Sequence, residues 1–420
     1  MTRENYTRPE DTQESASWNR RTLLRRGALA TGAIVAAGAG TRVLAQDATP
    51  TARPIEDSGR YRFSTFGWAT DFSIHSVDLL EIAPGGPGKD GIPPIDDPRY
   101  ESIDSANAWL NDLEPVVSVA IETPGGPVAR AYPIQILIWH EMVNDVLADE
   151  PILATFCPLC NTAIAFDRKL ADDGIVYDFG TTGNLRFSDL VMWDRQTESW
   201  WQQLTGEAIV GALTGSQLMM IPAQILGWGT FKTLYPEGDV LSVETGFSRT
   251  YGSNPYVGYD DADSSPFLFD RPADGRLRPM ERVVGVDSGG EQKAYLVGDV
   301  TETDVINDDL GGLAIAVFLS AGAASATDGQ NIATSRDVGQ VGVFLSAIDD
   351  QVLTFALDGD RILDAETGTS WDLSGAAIDG PLEGARLTAL PHVVVFWFAW
   401  AAAFPETSIW NNGTTITPRS

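Results

Sequence analysis

The sequence predicts an α+β protein that is predominantly β, with two pseudo-symmetric repeats of β-rich units and a few short helices. Three observations predict this fold. Short apolar runs bounded by glycine and proline are typical of strands. A stretch that begins at Pro133 has apolar residues at helical spacing. Blocks of the second half repeat blocks of the first half in the same order.

The best-defined predicted elements follow residue 112. Residues 116–121 and 128–132 flank a Pro-Gly-Gly-Pro turn and predict a hairpin. The helix from Pro133 is expected to continue through Met142, so that His140 and Asn144 share one helical face. Two strands, 151–156 and 162–166, flank a Cys-Pro-Leu-Cys turn, and strands at 175–179 and 189–193 follow.

The internal repeat distinguishes residues with a structural role, which occur in both halves, from reactive residues, which occur only in the first half. Glycines, tryptophans and an Asn-Asp pair occur in both halves, which indicates turns, packing and backbone bonding. The region of Cys157 and Cys160 corresponds to the apolar residues 318–324, and His140 corresponds to Thr303. The second half therefore keeps the frame and lacks the reactive groups. The matched positions are Gly206, Ala208, Gly211, Gly215 and Leu218 with Gly375, Ala377, Gly380, Gly384 and Leu387; Asn144-Asp145 with Asn307-Asp308; and Asp194, Thr197, Trp200 with Asp364, Thr367, Trp371.

These patterns predict six consecutive segments. They are a signal peptide at 1–45, a tether and irregular leader at 46–112, repeat 1 at 113–245, an acidic linker at 246–279, repeat 2 at 280–412 and a tail at 413–420.

The charge balance excludes several classes of partner. The chain has 58 acidic and 28 basic residues, a net charge of -30, and such a surface repels nucleic acid and anionic lipid. Many carboxylates with only four lysines are typical of proteins from concentrated salt, where high charge maintains solubility. We therefore expect a halophilic, acidic protein that does not bind nucleic acid.

The N-terminus predicts export. Arg20-Arg21-Thr22-Leu23-Leu24 fits a twin-arginine signal, residues 27–40 are apolar, and Val43-Leu44-Ala45 fits a cleavage site. The apolar run is too short to span a bilayer, so we expect no integral membrane span in the mature chain. The predicted location is extracellular or the outer face of the cytoplasmic membrane. Because this route carries folded proteins, it agrees with a cofactor inserted before export.

The candidate site lies in residues 139–168, which contain both cysteines of the chain, Cys157 and Cys160, and one of its three histidines, His140. Two thiolates and an imidazole are ligands that suit copper or zinc, so the pattern predicts a transition-metal site. A glycine loop at 179–185 lacks the lysine of a phosphate-binding loop, and no nucleotide cofactor is expected. Further candidate ligands or proton-transfer groups are Glu141, Met142, Asp145 and Met192.

Two alternatives to metal binding stay open. Cys157 and Cys160 are spaced as in thiol/disulfide redox proteins, although a predicted strand, and no helix, follows them. The pair could also form a structural disulfide in a non-catalytic extracellular binding module, although so short a loop gains little stability from closure. Neither the residue types nor their spacing identifies a substrate or a reaction.

Several motifs together resemble the domain of unknown function 3179 family, over roughly residues 60–410. The family is uncharacterised, so the resemblance implies no reaction, substrate or cofactor. It implies that the Cys-Pro-x-Cys pair and the His-Glu pair are the most reactive positions, and here Phe156 replaces the usual tyrosine before the first cysteine. The motifs are Arg130-Ala131-Tyr132-Pro133, His140-Glu141 with Asn144-Asp145, Phe156-Cys157-Pro158-Leu159-Cys160, Ala163-x-Ala165-Phe166-Asp167-Arg168, Met192-x-Asp194-Arg195-x-Thr197-x-Ser199-x-Trp201-x-Gln203-Leu204-x-Gly206-Glu207-Ala208 and Phe398-Ala399-Trp400 with Pro405.

Overall fold

The computed structural model describes residues 61–288, 290–349, 351–411 and 413–418. The predicted signal peptide at 1–45 and the tether up to residue 60 lie outside the described residues. The structure consists of 42% strand and 9% helix, which confirms the predicted α+β class with predominant β-structure.

The described residues contain twenty-eight strands and four α-helices. The strands of the first half are β1 (Ile82–Pro84), β2 (Tyr100–Ser102), β3 (Pro115–Thr123), β4 (Gly126–Pro133), β5 (Met142–Leu147), β6 (Glu150–Cys157), β7 (Thr162–Asp167), β8 (Phe179–Arg186), β9 (Asp189–Asp194), β10 (Trp200–Gln202), β11 (Ala208–Val210), β12 (Met219–Ile221), β13 (Ala223–Gly227) and β14 (Asp239–Leu241). The strands of the second half are β15 (Arg282–Ser288), β16 (Glu291–Leu296), β17 (Asp304–Leu310), β18 (Leu313–Ser320), β19 (Gln340–Leu345), β20 (Ala347–Ile348), β21 (Gln351–Val352), β22 (Phe355–Asp358), β23 (Arg361–Asp364), β24 (Ser370–Trp371), β25 (Ala377–Asp379), β26 (Val393–Phe396), β27 (Ser408–Asn411) and β28 (Thr414–Ile416). The helices are α1 (Ile103–Ala106), α2 (Ile134–His140), α3 (Trp228–Leu234) and α4 (Trp397–Ala403), and 3-10 turns occupy Leu79–Glu81 and Ile332–Thr334.

Three sheets form the first half. Their strand orders are β1-β8-β9-β10-β11, β12-β7-β6-β5 and β13-β3-β4-β14-β2. The predicted hairpin is confirmed as β3 and β4, in which Val116 lies opposite Pro133. Strands β5, β6 and β7 form an antiparallel meander, and the Cys-Pro-Leu-Cys turn connects β6 to β7.

The predicted helix is shorter than expected. Helix α2 ends at His140 because Glu141 adopts a left-handed conformation, with φ 61° and ψ −25°, and its N–H donates to the carbonyl of Leu137. Met142 then begins β5, so Asn144 lies on a strand and the prediction that His140 and Asn144 share a helical face is wrong. The apolar spacing from Ile138 to Met142 continues the helical period, but the chain reverses direction between them.

The second half contains a five-stranded sheet arranged like one in the first. Its strand order is β26-β15-β16-β27-β28. The three other sheets of the second half have the strand orders β17-β18-β19, β22-β23-β24-β25 and β20-β21. In both five-stranded sheets an antiparallel hairpin, β3–β4 or β15–β16, is flanked by one antiparallel strand and one parallel strand. The pseudo-symmetry of the two halves stays a prediction, and these arrangements agree with it.

The asparagines of the two Asn-Asp pairs make similar contacts with neighbouring strands. Asn144 bonds both backbone groups of Phe179, at 2.8 and 2.9 Å, and Asn307 bonds both backbone groups of Phe355, each at 2.8 Å. Each asparagine therefore substitutes for a strand neighbour across a gap between sheets. This use of the amide agrees with the scaffold role expected for the pair.

The tryptophan match needs a correction. The indole of Trp201 donates to Asp194 at 2.9 Å, and the indole of Trp371 donates to Asp364 at 2.9 Å. The equivalent of Trp371 by contact is therefore Trp201 and not Trp200. The sequence pattern matches Trp371 with Trp200 because Trp200 and Trp201 are adjacent, and only the hydrogen bond to Asp194 distinguishes them.

The leader lies on the first half. Its strand β1 pairs with β8, and Lys89 places its ammonium 4.3 Å from the ring centre of Trp68 and 4.0 Å from that of Trp193. The same ammonium lies 2.8 Å from a carboxylate oxygen of Glu198. Lys89 therefore holds the leader against the sheet through cation–π contacts and an ion pair.

One buried cluster joins the Cys-Pro-Leu-Cys turn to the second half. It contains Cys157 and Cys160 together with β26 and α4. The N–H of Phe396 donates to the carbonyl of Cys160 at 3.0 Å, and the Asn161 amide donates to the carbonyl of Val394 at 3.2 Å. None of the helices in the described ranges is long and apolar enough to cross a membrane.

Candidate metal centre

The first two members of the site, Cys157 and Cys160, lie where β6 turns into β7. Cys157 is the last residue of β6 and lies opposite Thr162, and Asn161 closes the turn in a left-handed conformation with φ 59°. Asparagine tolerates this conformation better than most residues. The hydroxyl of Thr162 and the amide oxygen of Gln203 are 2.8 Å apart, which fixes the beginning of β7.

The third member is Asp189, the first residue of β9. It follows a two-residue turn in which Phe187 and Ser188 are both left-handed, with φ 56° and 69°. This conformation matches the twist of a hairpin. The sulfur atoms of Cys157 and Cys160 and a carboxylate oxygen of Asp189 all lie within 4.8 Å of one another. The three residues are 1%, 0% and 1% exposed, so the group is closed to solvent.

Asp189 has one satisfied and one unsatisfied oxygen. Its Oδ2 accepts hydrogen bonds from the Gln202 amide at 2.6 Å and from the Leu204 N–H at 3.0 Å. The Gln202 amide is oriented by Arg186, which donates to its oxygen at 2.9 Å. The other oxygen, Oδ1, is buried and has no hydrogen-bond partner in the described part of the chain. A buried carboxylate oxygen without a partner indicates a missing cation or proton.

Burial makes the group difficult to ionise. It raises the pKa of Asp189 to about 7, despite the hydrogen bonds from Leu204 and Gln202. Burial, followed by the neighbouring Cys157 and Asp189, raises the pKa of Cys160 well above its usual range. In the metal-free protein, Asp189 therefore keeps its proton up to about pH 7, whereas in water it would lose it near its ordinary pKa of 3.8, and Cys160 stays a thiol.

A second carboxyl lies near this group. Glu141 is 7% exposed, and burial, followed by the negative charge of Asp189, raises its pKa to about 8. Neither burial nor the charge of Asp189 supplies a positive charge that would favour the ionised form of Glu141. Glu141 does not belong to the set of ligand atoms within 4.8 Å. A buried carboxyl whose pKa is raised by burial and by a neighbouring acid is stabilised when a positive ion binds nearby.

His140 lies outside the group. Its Nδ1 is 2.8 Å from the carbonyl oxygen of Pro93, and its Nε2 is 2.8 Å from the hydroxyl of Tyr251. Nδ1 must therefore carry the proton, and Nε2 accepts from Tyr251. The predicted set of two cysteines and His140 is not assembled; Asp189 is the third member instead. His140 ends a helix, and the left-handed Glu141 turns the chain before β5 begins.

A polar cleft lies beside the Tyr251 contact and not beside the cysteines. Thr245, whose hydroxyl is 2.6 Å from that of Tyr251, lines this cleft of about 290 Å³. Phe247 also lines it and packs against the His140 ring with centroids 5.1 Å apart. His140 therefore belongs to a hydrogen-bond chain that fixes the start of the predicted linker.

The remaining predicted ligands are Asp145, Met142 and Met192. Asp145 accepts hydrogen bonds from Arg130 and Tyr132, at 2.8 and 2.6 Å, and from Tyr100. This network occupies its carboxylate. Met142 and Met192 are buried in the same apolar cluster as the two cysteines.

Part of the predicted acidic linker covers the centre. The hydroxyl of Tyr259 donates to the carbonyl of Leu159, inside the cysteine turn, and accepts from the N–H of Phe267, both at 3.1 Å. The Ser188 hydroxyl donates to the carbonyl of Phe267. Burial, followed by the charges of Glu141 and Cys157, raises the pKa of Tyr256 above its usual value. Two phenols therefore close the centre on the side of the linker.

Comparison with known proteins identifies the family. The sequence profile of the protein of unknown function family DUF3179 matches residues 89–407. The chain belongs to the DUF3179 family. The match includes Cys157, Cys160 and Asp189, and it begins after the first part of the leader. No curated protein and no solved structure matches the chain.

Sequence reasoning missed Asp189 as a site residue of this DUF3179 protein. It lies 29 positions after Cys160, at the start of a strand whose middle residues 190–193 are apolar, and nothing in its spacing indicates a ligand. The only signal is a carboxylate at the start of a buried strand, where charged residues are rarely found unpaired. The pairing of β8 with β9 determines which end of the hairpin reaches the thiols.

Proposed function

We propose that this protein binds one transition-metal ion, zinc or copper, through Cys157, Cys160 and Asp189. One observation carries the proposal: three buried groups of ligand type converge within 4.8 Å, and one oxygen of Asp189 has no hydrogen-bond partner among the described residues. A divalent cation would replace the protons of the thiols and compensate the buried carboxylate.

The donor set favours a borderline metal. Thiolates select zinc and copper over magnesium and calcium, and a carboxylate is an ordinary ligand of zinc. Because the group is closed to solvent, the ion would enter before the linker segment covers it. This order agrees with export of a folded, loaded protein, which the twin-arginine pattern predicts.

The thiol/disulfide redox alternative has weaker support. A redox-active cysteine needs an accessible thiolate with a lowered pKa. Burial instead raises the pKa of Cys160, and Thr162, two residues later, begins a strand and not a helix. The third alternative, a structural disulfide, predicts that neither thiol can be titrated in the unfolded, unreduced protein.

Metal analysis of untagged protein tests the proposal. We expect about one zinc or copper ion per chain after loading, and its loss in Cys157→Ser, Cys160→Ser and Asp189→Asn. His140→Gln is the matched control, since the imidazole lies outside the group, and it should retain the metal. An equal metal content in wild type and Asp189→Asn, or no metal uptake by the reduced wild type, would contradict the proposal.

Export is proposed from the N-terminal pattern alone. Replacement of Arg20 and Arg21 by lysine should leave the protein in the cells that produce it. Secretion at an unchanged level would exclude the twin-arginine route.

A further inference from the structure

A backbone oxygen faces both thiols. The carbonyl oxygen of Ser188 lies 3.4 Å from the sulfur of Cys160 and 3.8 Å from the sulfur of Cys157. The next residue, Asp189, supplies the carboxylate oxygen of the group. Two sulfur atoms and two oxygen atoms from two turns of the chain therefore converge.

The distances match the edges of a metal tetrahedron. Zinc binds sulfur at about 2.3 Å and oxygen at about 2.0 to 2.2 Å, so sulfur and oxygen ligands of one tetrahedral ion lie roughly 3.5 Å apart. The two distances from the Ser188 carbonyl, 3.4 and 3.8 Å, lie on either side of this value. The three side-chain ligand atoms lie within 4.8 Å of one another, so they would approach by up to about 1 Å when they bind one tetrahedral ion.

The turn fixes the direction of this carbonyl. Phe187 and Ser188 are both left-handed, and Arg186 pairs with Asp189 across the turn. The Ser188 hydroxyl donates to the carbonyl of Phe267, which ties the turn to the covering segment. Because the peptide group is held on both sides, the carbonyl cannot rotate away from the thiols without breaking these contacts.

We propose that the carbonyl oxygen of Ser188 is the fourth ligand of the metal bound by Cys157, Cys160 and Asp189. This inference rests on the proposed function. The resulting centre has two sulfur and two oxygen donors and no open position for water or substrate. Two oxygen donors favour divalent zinc over Cu(I), which prefers sulfur. The centre therefore links the cysteine turn to the turn between β8 and β9 and does not act on a substrate.

Glu141 is the main rival for the fourth position. Its carboxyl is buried close enough to Asp189 for the charge to raise its pKa, but it lies outside the group of ligand atoms. If Glu141 were a ligand, Glu141→Gln would lose most of the zinc affinity. If the Ser188 carbonyl is the ligand, this variant retains zinc with an affinity within a few fold of wild type.

The sequence provides a unique label for the carbonyl. Ser188-Asp189 is the only Ser-Asp dipeptide in the chain. Protein made with 13C-carbonyl serine and 15N aspartate therefore gives a single carbon–nitrogen correlation that reports the Ser188 carbonyl. The reduced full-length protein is refolded from denaturant with increasing amounts of zinc, so that the ion can enter before the linker segment covers the site, and bound zinc is counted in parallel. The Glu141→Gln variant is labelled and titrated in the same way.

The direction of the shift distinguishes the outcomes. A cation bound to the carbonyl polarises it and moves the carbon resonance downfield, whereas loss of the thiol hydrogen bonds alone moves it upfield. We expect a downfield move that saturates at about one zinc per chain and occurs also in Glu141→Gln. Bound zinc with an unmoved or upfield resonance overturns the fourth ligand but not the metal site. No bound zinc overturns both.

Discussion

The charge on Asp189 should lower the stability of the metal-free protein at neutral and alkaline pH. Because the folded-state pKa is raised, the folded state prefers the protonated acid. The associated stability is fully present below the ordinary pKa of 3.8 and is lost as pH rises through about 7. A rise from 3.8 to about 7 corresponds to at most roughly 4 kcal/mol above pH 7.

Asp189→Asn removes this charge and keeps the shape of the side chain. Its oxygen can still accept from the Gln202 amide and the Leu204 N–H, as Oδ2 does in the wild type. We therefore expect the variant to be more stable than metal-free wild type at pH 8, by up to roughly 4 kcal/mol. The difference should shrink toward zero as pH falls to about 4.

Urea unfolding from pH 4 to pH 9, with chelator and reductant at constant salt, measures this difference. Asp364→Asn is the opposite control. Burial alone would raise the pKa of Asp364, but hydrogen bonds from Trp371 and Thr367 outweigh it and lower the pKa. Its stabilising effect is present at neutral pH and lost on acidification. A stability difference for Asp189→Asn that does not change with pH would refute the reasoning.

Three further results are expected. Asn144→Ala should lower the free energy of unfolding by about 2 to 4 kcal/mol, because it leaves two buried backbone groups of Phe179 unpaired. Asn307 is more exposed, so Asn307→Ala should lower it by about 1 kcal/mol. Urea unfolding of both variants would contradict this if Asn307→Ala were the more damaging. Lys89→Met should cost about 1 to 2 kcal/mol through lost cation–π contacts, and an unchanged melting temperature would exclude that contribution. The melting temperature of the wild type should rise with potassium chloride, because the net charge of -30 repels itself; equal stability in dilute buffer and molar salt would refute the halophilic prediction.

The sequence predicts local structure of this protein better than it predicts the centre. The hairpin of β3 and β4 and the strands around the cysteine turn follow from alternation and turn residues, which act over short distances. The end of α2 was missed because it depends on one left-handed residue, Glu141, in a sequence whose apolar spacing continues. Asp189 was missed because its partners are distant in sequence and are brought close only by sheet pairing.

If the second half repeats the first, as the sequence predicts, it shows the same arrangement of strands without the cysteine turn. When Asn144-Asp145 is matched with Asn307-Asp308, Cys157 corresponds to Ser320, the last residue of β18. A long connection then leads to β19. Hairpin β22–β23 closes with Asp358 opposite Arg361, where β8–β9 has Arg186 opposite Asp189.

All four proposed donors of the first half come from two turns, and the frame contacts of Asn144 lie in the strands. Substitutions within the turns can therefore create or remove a metal site at little cost to the sheets. If the two halves are repeats, as the sequence predicts, this separation explains how one pattern of strands occurs both with and without reactive residues in the same chain.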